Sequence, residues 1–435
     1  MRLVMLGCPS PALLHSLARD IQTASPDIHI CVIISKTSVQ KLVSLNQEEN
    51  VIHEILHAPE GFLWGLYNHS GRLQRFVTTL IYKRGKKGLG AESGGQVSSS
   101  PEIFFPQKPL VSAFLDFLMS IDTASVYHKW KPLLADADVI QLHSVGVTPS
   151  LIAASRFAKT KPLITSLWGT HVLRSFNVSR LKRQRKLLLQ SKLITHSTPE
   201  FRECALTKYG RDLFPKYRET YFSPNYLVLK IAAELDFASS RKKIGQYIDL
   251  REGDHLICIG HNGSPGNQHR EIIDSLEDAN LDPEKTHLVV PFAYAGTSMY
   301  EHELEGRLKK SGYRFTILKD FLSEEDLAVF RKATDILIFA PVSDSFAATV
   351  TQALAAGSHV ISGGWLPYKK RRLDGFMFEE VRYIGEVGDV CKKALVNLDA
   401  TRSNNRSNIA LALKVFSPEE LGGHWCAAYE EATQR

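Results

Sequence analysis

The sequence predicts an α/β protein built from two doubly wound domains in tandem that face a cleft. Three observations carry that prediction. Short β-branched runs recur along the 435 residues, helical patterns separate them, and the plan occurs once in each half. The first half offers RLVMLG, HICVIIS, VIHEIL, DVIQLHS, PLITSLWG and LITHST as strands. The second offers HLICIGHN, HLVVPFA, RFTILKD, DILIFAP, HVISGG and VRYIGE. Strands alternating with helices imply parallel sheets covered on both faces. Ligands of such sheets sit beyond the carboxyl ends of the strands, so two facing domains make a natural cleft.

On this reading residues 1–225 form the first domain and 248–407 the second. Residues 226–247 connect them, because periodicity weakens around the SPN turn and the basic SSRKK segment. Residues 408–435 form a C-terminal helix in which Trp425 and Tyr429 lie one turn apart. Two segments interrupt the plan. KRGKKGLGAESGGQVSSSPE, Lys83 to Glu102, is Gly/Ser-rich and is expected to be a flexible surface loop. SRLKRQRKLLLQ, Ser179 to Gln190, is a helix with basic residues beside an apolar stripe, which reads either as a solvated face or as a dock for an anionic membrane surface.

Hydrophobic residues at 44% and charged residues at 23% describe a soluble globular chain. The net charge of +7 favours anionic partners such as nucleotide phosphates, acidic glycans or lipid head groups, and falls short of a dedicated nucleic-acid binder. Six cysteines without a CxxC or a Cys/His cluster suggest neither a disulfide framework nor a zinc site, which fits a reducing cytoplasm. Cys31 and Cys258 fall inside apolar runs and read as core residues. The apolar run before Cys8 is too short for a signal segment, and no window reaches the ~20 apolar residues of a membrane span.

Three stretches could carry chemistry. In LICIGHNGSPGNQHREIIDSLE a strand ends in a loop with Gly260, Gly263 and Gly266 and then opens into a helix. Glycines let backbone N–H groups approach a phosphate, and His261, Asn262, Asn267 and His269 are candidate side-chain donors. The spacing is neither a Walker A loop nor GxGxxG, so an ordinary tight turn stays open as well. His143 in DVIQLHS and His171 in SLWGTH fall at strand ends, where they are candidate bases or structural histidines. In PVSDSFAATVTQALAAGSHVISG, Ser343, Asp344 and Ser345 precede an almost uncharged helix carrying Gln352; they either cap the helix or hold a ligand. GxSxG and carboxylates paired at useful spacing are absent, and the one HExxH spelling, His53 to His57, overlaps the strand run VIHEIL rather than a helix, so metal-assisted and serine-nucleophile hydrolysis lack support.

The series GHNGSPGNQH, VPFAYAGTSMYEHELEGRLKKSGYRFTIL, FLSEEDLAVFRKATDILIF and PVSDSFAATVTQALAAGSHVISGGWLPY resembles GT-B glycosyltransferases. The likeness is to bacterial surface-polysaccharide transferases of the group 1 and lipid-linked fucosamine transferase types, clearest from His255 to Tyr368. It implies two Rossmann-like domains and a metal-independent, hexosyltransferase-like enzyme with a nucleotide-diphosphate sugar as donor substrate and no cofactor. Asp344 matches a Glu that holds the donor sugar's hydroxyls, and Gln352 matches a second Glu that binds the ribose. Ser345 and Phe346 join them on the nucleotide side, and His171 lies where relatives face the sugar. The implied partners are a glycan or polyprenyl-linked acceptor and the inner face of a membrane, without nucleic acid. If stereochemistry is inverted, His143 or His171 is the implied base. A sugar-nucleotide epimerase and a non-catalytic binding protein are the rival readings. Relatives often send the C-terminal helix back across the cleft; packing on the second domain fits the periodicity equally.

Overall fold

The computed structural model describes residues 1–6, 11–58, 127–155, 158–174, 178–245 and 247–434. The loop expected at Lys83 to Glu102 and the turn at Cys8 lie outside the described residues.

Strands β1 (Arg2–Leu6), β2 (His29–Ile34), β3 (Glu54–His57), β4 (Val139–His143), β5 (Leu163–Ser166), β6 (Leu193–His196) and β7 (Tyr217–Glu219) form one sheet. Strands β8 (His255–Ile259), β9 (Thr286–Pro291), β10 (Arg314–Leu318), β11 (Ile336–Phe339), β12 (His359–Gly363) and β13 (Glu379–Val381) form the other. The orders are β3-β2-β1-β4-β5-β6-β7 and β10-β9-β8-β11-β12-β13, with every neighbouring pair parallel. Helices cover both faces, and the chain is two Rossmann-like domains, as the alternation of runs and helical patterns predicts. Strand order reverses between β1 and β4 and again between β8 and β11, which opens a crevice at the carboxyl end of each sheet.

The sequence patterns miss one strand and misplace another, whose last residue is the first of the run VRYIGE. Tyr217–Glu219 is a three-residue edge strand with too few positions to show a period, and VRYIGE leaves the sheet at Val381 before a 3₁₀ turn at Ile384–Glu386.

Residues 226–247 are mostly helical, Tyr226–Glu234 and Phe237–Ile244, and both helices pack on the second-domain helix Glu324–Ala333. Asp335, fully buried at the head of β11, fastens the second of them there. Its carboxylate accepts from Arg241 at 2.7 Å, from the Leu256 N–H at 2.7 Å and from Arg402. A buried carboxylate with this many donors offsets its desolvation.

The C-terminal residues form helices Leu398–Val415 and Pro418–Thr433, and the last returns to the first domain. It lies along helix Pro11–Ala24 and buries Trp425 and Tyr429. The Trp425 indole N–H donates to the Tyr221 carbonyl at 2.8 Å, and the Tyr429 hydroxyl donates to Gln141 Oε1 on β4 at 2.8 Å. Arg218 and Glu431 pair beside them. Truncating a buried aromatic costs about 3–5 kcal/mol, so this clasp is a substantial part of the first domain's stability.

Candidate functional site

The loop after β8 is held by a closed set of side-chain hydrogen bonds. Gly260 has φ +69°, and a Cβ there would fall 2.9 Å from Asn267 Cβ and 3.0 Å from His269 Nε2. Only glycine lets the loop fold back this tightly. Asn262 Nδ2 donates to His261 Nε2 at 2.8 Å, which leaves the imidazole proton on Nδ1, bonded to Asn267 Oδ1 at 2.9 Å. Asn267 Nδ2 donates to Asn262 Oδ1 at 2.8 Å, and the Ser264 N–H donates to the same oxygen at 2.8 Å. The Gly263 N–H donates to the Tyr294 carbonyl at 2.9 Å. Burial pushes His261 below its ordinary pKa even though Asp344 pulls the other way, so the ring is neutral. His269, fully buried at the start of helix His269–Asp278, bonds the Tyr300 hydroxyl at 3.1 Å and is pushed down to about 3 by burial.

The turn after β11 does not cap the helix that follows. Helix Ala348–Ala356 has Ala347 as its N-cap with no side-chain cap bond, so Ser343, Asp344 and Ser345 lie ahead of the helix start. Asp344 Oδ2 accepts from the Tyr368 hydroxyl at 2.6 Å. Tyr368 is fully buried and its pKa is raised well above the ordinary value, so it stays a donor.

The same turn meets the first domain. Arg174 Nε donates to Ser343 Oγ at 2.9 Å and its Nη2 to the Ser343 carbonyl at 3.0 Å. Ser197 Oγ donates to the Ser345 carbonyl at 3.3 Å. At Gly169 a Cβ would sit 3.0 Å from Ser345 Oγ, so the two domains touch backbone to side chain beside Asp344. His171 belongs to the short helix Gly169–Leu173 on that edge.

The other expected residues face elsewhere. Phe346 packs edge-on against Tyr368 at 5.0 Å and stacks on Phe416 at 6.0 Å. Gln352 is 6% exposed; its Nε2 donates to the Pro224 carbonyl at 2.9 Å and its Oε1 accepts from Arg331 Nε at 3.2 Å. His143 is 0% exposed behind Trp168 and Phe222, with ring centroids 6.3 and 5.6 Å away, and neither of its nitrogens has a hydrogen-bond partner. Burial alone pushes it down to about 3. The structure thus brings His261, Asn262, Asn267, Asp344 and Ser345 to the end of the second sheet, while His143 and Phe346 are taken up in packing and Gln352 is bonded to Pro224 and Arg331.

Two residues of the site carried no motif: Arg174 and Tyr368. Arg174 lies three positions beyond the run SLWGTH, whereas Tyr368 closes the run GGWLPY already singled out. Among the described residues no three His, Cys, Asp or Glu side chains converge to hold a metal ion, and no helix is long and apolar enough to cross a membrane.

No family model matches the chain, and no curated protein matches it. Solved structures do match in fold. Anabaena HepE in complex with UDP aligns with TM-score 0.67 at 14% identity, covering 98% of this chain and 99% of that one. The N-terminal domain of Candida albicans trehalose-6-phosphate phosphatase gives 0.67 at 12% identity, covering 99% and 96%. A putative UDP-N-acetylglucosamine 2-epimerase from Listeria monocytogenes gives 0.57 at 11% identity, covering 97% and 94%. Both domains and their arrangement are shared over the full length, and the chain has the GT-B architecture.

Proposed function

We propose that the protein processes a nucleotide-diphosphate sugar in the cleft between its domains, transferring the sugar to a hydroxyl of a glycan or lipid-linked acceptor in surface-polysaccharide assembly. One observation carries the reading: Asp344 stands at the carboxyl end of the second sheet, beside the point where the first domain touches it. A carboxylate there accepts hydrogen bonds from sugar hydroxyls, and the loop after Gly260 borders the space for the diphosphate. UDP complexes of HepE, which has the same fold, support a nucleotide as the ligand.

In the reaction the bond from the anomeric carbon to the phosphate oxygen breaks and the nucleoside diphosphate leaves with the electron pair. The acceptor oxygen bonds the anomeric carbon and gives its proton to a phosphate oxygen if configuration is retained. If it is inverted, His171 is the candidate base, since His143 is enclosed by aromatic rings. Closure of the cleft excludes water that would hydrolyse the donor. The acceptor-side domain carries the basic helix Val178–Gln190, which supports peripheral contact with an anionic membrane.

A second reading, binding without turnover, is favoured by Gln352, whose amide is already bonded at both ends. Thermal-shift measurements against UDP, GDP, dTDP, CMP and their sugars come first, since ligand at 100-fold its Kd adds about 2.7 kcal/mol to folding. Donor consumption without acceptor then separates the readings. Slow hydrolysis supports a transferase and a new epimer an epimerase; stabilisation with no turnover across a broad acceptor panel supports binding alone.

A further inference from the structure

Arg331 is a buried cation without a counter-ion. It lies on helix Glu324–Ala333, is 5% exposed, and forms no ion pair with any carboxylate among the described residues. Each of its three nitrogens donates to a neutral group: Nε to Gln352 Oε1 at 3.2 Å, Nη2 to Thr349 Oγ1 at 3.3 Å and Nη1 to Cys258 Sγ at 3.9 Å. The Cys258 thiol is pushed up to about 11 by burial and is therefore not a thiolate. Arg371, the other buried arginine among the described residues, shows the usual solution, with Asp374 at 3.1 Å and three aromatic rings around its guanidinium.

A buried charge is costly unless it is paired. The partners of Arg331 are also longer than the 2.7–2.9 Å, roughly, of charge-assisted bonds, so its donors are held loosely. Its side chain reaches Thr349, on the first turn of the helix that follows the Asp344 turn, and Cys258, two residues before Gly260, so the guanidinium lies beneath the carboxyl end of the second sheet. We propose that Arg331, with Thr349 and Gln352, forms an anion subsite of the cleft whose counter-charge arrives with the ligand, a phosphate group of the nucleotide. This rests on the nucleotide-sugar reading above. The amide at 352 keeps the subsite open: a glutamate there would place a carboxylate on Arg331 and neutralise it from within.

The test is calorimetry and thermal denaturation of the full chain with inorganic pyrophosphate, UDP and uridine. The parent binds pyrophosphate and UDP, and uridine far more weakly. Arg331→Gln weakens pyrophosphate and UDP by about tenfold or more while uridine stays within about twofold. Gln352→Glu raises the melting temperature of the ligand-free protein and weakens pyrophosphate by a similar factor. If Arg331→Gln does not fold, Gln352→Glu decides alone. Affinities unchanged in the variants, or no pyrophosphate binding by the parent, overturn the proposal. Turnover of a nucleotide sugar with neither variant affected sinks the subsite and keeps the transfer reading. Arg331-dependent pyrophosphate binding with no response to any nucleotide keeps the subsite and sinks that reading.

Discussion

The two domains repeat one architecture, but His261 at the end of the second sheet and His143 at the end of β4 are treated in opposite ways. At the end of the second sheet, His261, Asn262 and Asn267 satisfy one another, and Asp344 has Tyr368. In the first domain His143 is enclosed by Trp168 and Phe222 with neither nitrogen bonded. Asp20, on helix Pro11–Ala24 under the C-terminal helix, is fully buried with neither oxygen meeting hydrogen-bond geometry. A network fixes the position of each member, whereas an orphaned group is only surrounded. The difference assigns precise positioning to the loop after β8 and leaves His143 to supply shape.

The largest effect that could break this comparison is at Asp344. Asp344→Asn is expected to lower kcat/KM by about 10²–10³, or 2.7–4 kcal/mol, with little change in melting temperature. Unaltered turnover would reduce the turn to a spacer between domains.

Asp20 comes next. Desolvation raises its pKa from 3.8 to about 8, with the Ser223 hydroxyl and Arg19 opposing and Glu419 adding. The folded state then holds a proton that the unfolded state releases between pH 3.8 and 8, so stability falls as pH rises through that window. Asp20→Asn removes the penalty and is expected to stabilise by roughly 2–4 kcal/mol at neutral pH. Denaturant titrations at several pH values should show the gain growing up to pH 8 and vanishing near pH 4.

The histidines sharpen the contrast directly. His261→Phe strands two asparagines and is expected to cost about 1–3 kcal/mol, whereas His143→Phe replaces an unbonded ring with an apolar one and should be neutral or stabilising. Equal costs in urea melts would remove the distinction drawn between the domains.

The smallest effect is acid sensitivity shared by both. His143 and His269 are pushed down to about 3, and His196 and His359 to about 4, from 6.5. The unfolded state takes up these protons first, so stability is full above pH 6.5 and is lost as pH falls toward 4. At pH 5.5 the loss is about 1.4 kcal/mol per histidine, and His143→Phe should flatten the slope by one such share.

Much of this architecture is legible in the sequence because buried parallel strands are continuous apolar runs, and each of the twelve quoted runs overlaps a strand of the observed sheets, VRYIGE by Val381 alone. The ends of β8 and β11 were equally visible, since Gly260 and the Ser343–Ser345 turn interrupt apolar runs. What could not be read was direction. Capping and ligand contact use the same residue types, and only the helix start at Ala347 separates them. Arg331 was hidden for a different reason. Its helix is pressed between the sheet and the helices Tyr226–Glu234 and Phe237–Ile244, so Val329, Phe330 and Arg331 are all buried and a one-sided stripe never forms. His143 closes its strand run whether it faces the cleft or the core.

The return of helix Pro418–Thr433 ties the start of the polypeptide to a segment translated after the whole second lobe. As the nascent chain leaves the ribosome, helix Pro11–Ala24 must wait with its outer flank uncovered while β8 to β13 are made. The amino-terminal half therefore matures last, although it is synthesised first.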